Sequence, residues 1–322
     1  STDYIDILYI HFYFDDPNVG DPNEIMETFD ELKKIGKIRA LGISNINYDE
    51  LMKLNEAGQI KFDCCQVYCN ILDYYETSDV DKYLIKNGIS GIAINTLAKG
   101  LLAGAFPNDY KVKEKSERSE SAWFNYGNVS KVNSMLNSWD SIKHKYKANY
   151  ASISNNWVLS QNCITHSIVG ATKKNHIDDI LKSTSFKLSI MEYEKITTHA
   201  NQLRKEMYDK YFLPIKKIIE QIIEKKEKVA IWGGGITLDY LKRKLPFDKL
   251  NIINIYDANE NFKGVSKFGV KIKNSRYLSE IKADTTLLIT IPYDINKLNT
   301  ILEDYKNIKS FYHLGHLKAL CK

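Results

Sequence analysis

Short apolar runs take turns with amphipathic helical stretches along most of this chain, and that alternation restricts the fold more than any other feature. Such a rhythm is the pattern of parallel strands joined by crossover helices, so the expected class is α/β. Between residue 3 and about residue 190 the candidate strands are DYIDILYI, IRALGI, FDCCQV, ISGIAIN and HSIVG. The stretch PNEIMETFDELKKIG opens on Pro22 with acidic residues behind it, ends in lysines and stops at Gly36, the polarity that capping and the helix dipole favour. NYDELMKLNEAG repeats the plan and stops at Gly58. The polar segment from 105 to 128 interrupts the alternation as an inserted loop of the kind that serves as a lid. SKVNSMLNSWDSIKHKYK and YASISNNWVLSQ then supply two further helices.

Residues 191 to 228 read as mainly helical. Ile215, Ile218, Ile219, Ile222 and Ile223 recur at helical spacing among charged residues, which predicts a bridge helix packed on one domain. A second alternation follows: KVAIWGGG, the helix ITLDYLKRKL, NIINIYDAN, GVKI, the helix SRYLSEIK, TTLLITIP, the helix INKLNTILEDY, and IKSFYHLG. This is the outline of a small Rossmann-like parallel sheet. The expected organisation is a first domain at 1–204, a helical linker at 205–228 and a second domain at 229–322.

Composition narrows the function classes. Lys and Arg number 45 against 40 Asp and Glu, but the cations are scattered among carboxylates, which argues against a nucleic-acid partner. Five cysteines, Cys64, Cys65, Cys69, Cys163 and Cys321, show no paired Cys-x-x-Cys spacing, so no disulfide framework or metal site is expected and the thiols read as reduced, in a cytoplasm. No run approaches the ~18 apolar residues of a membrane helix, and the start lacks the basic end and cleavage site of a signal peptide. The chain opens without methionine, directly on strand-like sequence, so a fragment is expected. His313 and His316 read as surface or terminal-helix residues without a third metal ligand.

Five strand-helix units are fewer than the eight of a closed barrel, and pattern alone fits either part of one or an open five-stranded sheet. The ordered segments DYIDILYIH, ETFDELKKIGKIRALGISN, FDCCQVYCNILD, GIAINTLAKGLLAG, NWVLSQ and SIVGATKKNHIDDIL closely resemble the second half of an aldo-keto reductase. The resemblance implies a partial (β/α)8 TIM barrel holding strands four to eight. It also implies hydride transfer from NADPH to a small-molecule carbonyl, with a tetrad of Asp, Tyr, Lys and His. His11 matches the histidine, while the other three belong to the part preceding this chain. A phenol with a pKa near 10 needs a neighbouring cation to act as an acid at neutral pH, so this chain alone is expected to be inactive. The alternative is a non-catalytic protein that binds or senses NADPH or a sugar nucleotide. Missing strands would leave unpaired edges and an exposed interior, so association or marginal solubility is expected.

By the same resemblance Ser44, Asn45 and Gln66 contact the nicotinamide carboxamide, which needs a donor and an acceptor in one plane. Ser44 and Asn45 could equally cap the following helix, with Asn45 or Asn47 as N-cap. Ile94, Asn95, Thr96 and Leu97 stand where the family commonly has an aromatic and Ser-Pro-Leu, so Ile94 offers an apolar wall, and Asn95 and Leu97 remain cofactor candidates. Cys69 stands where Tyr is usual. GATKKNHIDDIL opens a helix whose N-terminus suits an anion, with Gly170 at the turn. Lys173 or Lys174 would pair with a ribose 2′-phosphate, favouring NADPH, or else form a solvated pair. Asp179 matches the adenine-side carboxylate, while His176 and Ile180 replace a frequent Arg and Asn.

In the second domain Gly233, Gly234 and Gly235 lie between a strand and a helix, and Asp257 ends the next strand, the outline of a dinucleotide fingerprint with Leu238 in place of the third glycine. Gly233, Gly235 and Asp257 are the candidates there for a nucleotide or sugar nucleotide. Tight packing accounts for the glycines equally well. IWGGG, YDAN and FKG weakly resemble the modules appended to sugar-modifying enzymes and methyltransferases.

Overall fold

The computed structural model describes residues 2–11, 21–44, 51–52, 62–74, 79–113, 116, 118, 121–124, 127–242, 245–262, 265–291, 302, 308–314 and 320–321. The chain divides into two compact units. The first comprises 1–111 and 127–204, the second 112–126 and 205–322.

Five strands make the sheet of the first unit: β1 (Ile5–Ile10), β2 (Ile38–Ser44), β3 (Cys64–Tyr68), β4 (Ser90–Ile94) and β5 (Ile164–Ser167). Each lies beside its predecessor, in the order β1-β2-β3-β4-β5, and every pairing is parallel. The crossover helix α1 (Pro22–Lys34) shows why the sequence starts and stops there. Asp21 caps the Asn23 N–H, Pro22 takes the first turn, Glu24 and Lys33–Lys34 complement the dipole, and Gly36 turns the chain with φ +75°. Its Met26 enters a core with Ile10, Leu41, Ile43, Leu84 and Cys65, the last two from α2 (Asp79–Asn87) and β3.

The stretch expected as one helix at 130–147 is two, α3 (Asn128–Asn137) and α4 (Asp140–Tyr146). The break falls at Ser138 and Trp139, where the fully buried indole donates its N–H to His199. Helices α5 (Tyr150–Leu159) and α6 (Lys174–Lys182) flank β5, which begins earlier than HSIVG suggests. Helix α7 (Ile190–Met207) starts with a reciprocal cap in which Ser189 and Glu192 bond each other's backbone or side chain.

In the second unit a π-helical stretch, Tyr208–Phe212, leads into α8 (Leu213–Glu224), whose Ile215, Ile219 and Ile222 are buried. Strand β6 (Lys228–Trp232), helix α9 (Ile236–Lys242), β7 (Asn251–Asp257), β8 (Ser266–Lys267), β9 (Val270–Asn274), β10 (Thr285–Ile289), β11 (Ser310–His313) and β12 (Leu320–Cys321) follow. The sheet order is β12-β11-β10-β6-β7-β9-β8, with β6, β7, β9, β10 and β11 parallel and the two edge strands antiparallel. Two features depart from expectation. SRYLSEIK forms a short 3-10 turn capped by Asn274 instead of an α-helix, and the edge strands β8 and β12 were not expected, while His313, read as a surface or terminal-helix residue, ends β11 within the strand expected at IKSFYHLG. His316 and most of INKLNTILEDY lie outside the described residues. No described helix is long and apolar enough to cross a membrane.

Candidate functional site

Because the five strands of the first sheet run one way, their C-terminal ends share a rim. His11 follows β1, Ser44 ends β2, Gln66 is the middle residue of β3, Asn95 and Leu97 follow β4, and Gly170 and Lys173 follow β5, with Lys174 and Asp179 on α6. The parallel order thus puts the candidates that end or follow strands at one end of one sheet, with Asp179 five residues beyond Lys174 on α6. Asn45 and Asn47 lie outside the described residues.

Ser44 and Gln66 are register partners on neighbouring strands, and the buried Ser44 hydroxyl donates to Gln66 Oε1 at 2.9 Å. That bond turns the amide oxygen toward β2 and leaves the NH₂ to face elsewhere. Two residues toward the N-terminal end of β2 and β3 lies a second layer that sequence reasoning missed. Tyr9 pairs with Gly42 and Gly42 with Cys64, so the three sit at one level of adjacent strands. A Cβ on Gly42 would lie 2.3 Å from the Tyr9 ring, so only glycine leaves room for that ring to cross β2. The Cys64 thiol donates to the Tyr9 hydroxyl at 3.2 Å, and the Gln66 side chain also bonds the phenol. Burial, reinforced by Cys64, pushes the phenol above its ordinary range, the wrong direction for a proton donor near neutral pH. The available signal was the two-residue period of β1, which puts Tyr9 on the face of His11.

The segment after β3 is fixed from two sides. The Asn70 side chain accepts from the Leu72 and Asp73 N–H groups, at 2.9 and 3.0 Å, and the buried Arg204 guanidinium donates to the carbonyls of Ile71 and Tyr74. After β4 the chain makes a tight turn with left-handed Asn95, Ala98 and Lys99, φ 57°, 48° and 57°. Non-glycine residues there cost about 1 kcal/mol or more each, and such strain concentrates where a ligand is met. Asn95 Oδ1 accepts from the Lys99 N–H at 2.9 Å, so its oxygen serves the turn and its NH₂ is the group left for a ligand. At β5 the exposed Lys173 precedes α6 without a side-chain cap, so no N-cap side chain competes with an anion at the helix start, although the His176 N–H already donates to the Lys173 carbonyl at 3.1 Å. His176 Nδ1 receives the Thr172 N–H at 3.4 Å, a contact that orders this loop.

The second unit also brings its candidates together. Gly233 has φ +111°, and a Cβ there would sit 2.4 Å from Thr290 Oγ1, whose hydroxyl donates to the Gly233 carbonyl at 2.5 Å. A Cβ on Gly234 would lie 2.7 Å from Ile272, whereas Gly235 has 3.5 Å to Phe262. Asp257 accepts from the Gly234 N–H at 2.7 Å and the Asn259 N–H at 2.8 Å. Packing therefore requires the first two glycines, and the carboxylate closes the turn on itself. The arrangement lies where the strand order reverses between β6 and β10. Among the described residues no three His, Cys, Asp or Glu side chains are placed to hold a metal ion.

Comparison with known proteins bears on the first unit. A family model described as the aldo/keto reductase family matches residues 1–201. The chain is 28% identical over 189 residues to the NADH-specific methylglyoxal reductase of Escherichia coli K12, covering 59% of this chain and 57% of that one. It is 25% identical over 199 residues to the aldo-keto reductase YhdN of Bacillus subtilis, covering 62% and 59%. Among solved structures it resembles the glycerol dehydrogenase AKR11B4 of Gluconobacter oxydans, with a TM-score of 0.55 at 22% identity, covering 62% of this chain and 59% of that chain, a likeness of fold. The chain thus spans less than two thirds of the length of these relatives.

Proposed function

The chain belongs to the aldo/keto reductase family, and from that premise we propose that its first unit is the part of a (β/α)8 barrel, strands four to eight, that binds a nicotinamide cofactor for reduction of small-molecule carbonyls. One observation carries the reading: the Ser44–Gln66 hydroxyl–amide pair stands beside the rim position of His11, at the strand ends where barrel enzymes meet their ligands. Beyond its bonds to Ser44 and Tyr9 the Gln66 amide keeps a second lone pair on Oε1 and a second N–H, the acceptor and donor that a carboxamide needs. The exposed Lys173 and Lys174 favour NADPH, with Asp179 toward the adenine end, Gly170 at the turn, and Asn95 and Leu97 along the cofactor.

In this reading the cofactor supplies the hydride. Ser44 and Gln66 hold its amide, and His11 orients the carbonyl. Tyr9, shifted away from acidity, is not the proton donor in this reading. The name of the Escherichia coli relative supports a small aldehyde as the substrate class. For the second unit we propose a Rossmann-like fold that takes a nucleotide or sugar nucleotide near Gly233, Gly235 and Asp257. Its support is the reversal of strand order beside a glycine turn.

The test is a fluorescence titration of the chain with NADPH and with NADH, followed by an aldehyde panel. Binding of NADPH is expected, weakened by about tenfold in Gln66→Ala, the scale of one lost hydrogen bond. Lys174→Ala should weaken NADPH and leave NADH unchanged. Binding of neither cofactor would sink the reading, and turnover by the chain itself would overturn its expected inactivity.

A further inference from the structure

Helix α6 carries Lys174 and Asp179, yet none of its residues is buried, and Ile177 and Leu181 are 50% and 62% exposed. Apolar burial therefore does little to fix where it sits. Polar ties from α5 hold it instead, one to α6 itself and four to the residues that leave its C-terminus. Ser152 Oγ donates to the Asp179 carbonyl at 2.7 Å, and Asn155 Nδ2 donates to Ser183 Oγ at 2.8 Å. Asn156 Nδ2 donates to the carbonyls of Ser183 and Phe186, both at 2.7 Å, while Asn156 Oδ1 receives the Leu188 N–H at 3.4 Å.

Ser152, Asn155 and Asn156 are all buried, on a helix whose Ile153, Trp157 and Val158 are buried too. Side-chain amides at such positions are costly unless their hydrogen bonds are made; both NH₂ groups and Asn156 Oδ1 are bonded, while Asn155 Oδ1 has no partner among the described residues. Every bond just named ends in residues 179–188, which begin inside α6 and run past its C-terminus. Two adjacent asparagines thus fasten one short segment and not the core at large.

We infer that Asn155 and Asn156, with Ser152, are positioning residues that set α6 and thereby the approach of Lys173, Lys174 and Asp179 to the nucleotide end of the cofactor. The inference rests on the cofactor reading above. It makes the grip on the nucleotide depend on a helix that holds neither the nicotinamide nor the carbonyl.

Amide hydrogen exchange on the whole 322-residue chain, paired with NADPH titration, tests this. Asn155→Ala, Ser183→Ala and Asn156→Leu, the last nearly isosteric but without N–H donors, should each speed exchange within 174–182 by about tenfold. Exchange in β2, β3 and β4 should stay as in the parent chain. The Asn155→Ala and Ser183→Ala effects should add only in part, because the two side chains share one bond while the Ser183 hydroxyl also donates to the Ile180 carbonyl at 2.6 Å. NADPH affinity should fall by about threefold to tenfold in the same variants.

A uniform acceleration across the first unit would assign the asparagines to general stability and overturn the inference, as would unchanged exchange in α6. If α6 responds but the parent chain binds neither NADPH nor NADH, the cofactor reading and the inference fall together. If NADPH binds and α6 does not respond, the inference alone falls.

Discussion

The two sheets use the same pieces in different orders. In the first, each strand lies beside the one before it, so chemically useful side chains collect around a rim and the sheet ends in the edges β1 and β5. In the second, β6 enters at the middle, β7 and β9 extend one way and β10 and β11 the other. Burial follows. Ile5 and Ile7 of β1 are 48% and 42% exposed, whereas Val229, Ala230 and Ile231 of β6 are fully buried. Strand β6 is flanked on both sides, by β10 and β7, whereas among the described residues β1 pairs only with β2. The chemistry differs too: the first unit offers side chains, Ser44 against Gln66, and the second a backbone turn closed by Asp257.

Ile231→Ala should break the contrast most visibly, costing about 2–5 kcal/mol by the usual price of a core cavity, read from denaturant midpoints. Ile7→Ala should change the same measurement by less than about 0.5 kcal/mol. Equal costs would mean that β1 is as enclosed as β6.

The glycines sharpen the comparison. Gly233→Ala combines a left-handed backbone with a clash against Thr290, so about 3 kcal/mol is expected. Gly42→Ala meets the Tyr9 ring first, which should cost about 1–3 kcal/mol and be largely relieved by Tyr9→Ala in a double-mutant cycle. Additivity in that cycle would refute the shared slot.

Acid sensitivity should also divide the units unequally. Burial alone would raise the Glu192 carboxyl, but Lys145, Tyr146 and Ser189 outweigh it and bring it down to about 2. A carboxyl lowered in the folded state contributes fully above its unfolded value near 4.5 and loses that contribution as pH falls toward 2. Glu192→Gln should therefore cost on the order of 2 kcal/mol at neutral pH and almost nothing near pH 2. Glu227 of the second unit is lowered in the same direction, chiefly by Thr286 and then against burial by Lys309, so its smaller loss should have the same sign. A pH-independent cost for Glu192→Gln would show that its bonds do not depend on charge.

The smallest stability effect belongs to the exposed edge. Ile5→Lys or Ile7→Lys should leave the denaturation midpoint within about 0.5 kcal/mol, because both side chains are already exposed. A loss of more than about 1 kcal/mol would show that they are enclosed.

What could be read without coordinates was local. Pro22 and Gly36 bracket α1 because capping is decided within a turn, and Asp257 is found by its distance in sequence from the glycines. The Tyr9–Gly42–Cys64 layer escaped because it depends on the register of three strands, which no local pattern encodes. The break at Trp139 likewise comes from a tertiary contact that overrides helical periodicity. Asn155 and Asn156 were read as part of an ordinary helix, since their partners lie more than 25 residues away.

Sulfur is unevenly shared. Cys64, Cys65, Cys69 and Cys163 are all buried in the first unit, and burial pushes the Cys65 and Cys163 thiols up to about 12. A thiol that is both enclosed and held in its unreactive form meets an alkylating reagent only when its surroundings open. The chain therefore carries its own clock: the rate at which these four sulfurs are consumed times the breathing of the first unit, without any label having to be introduced.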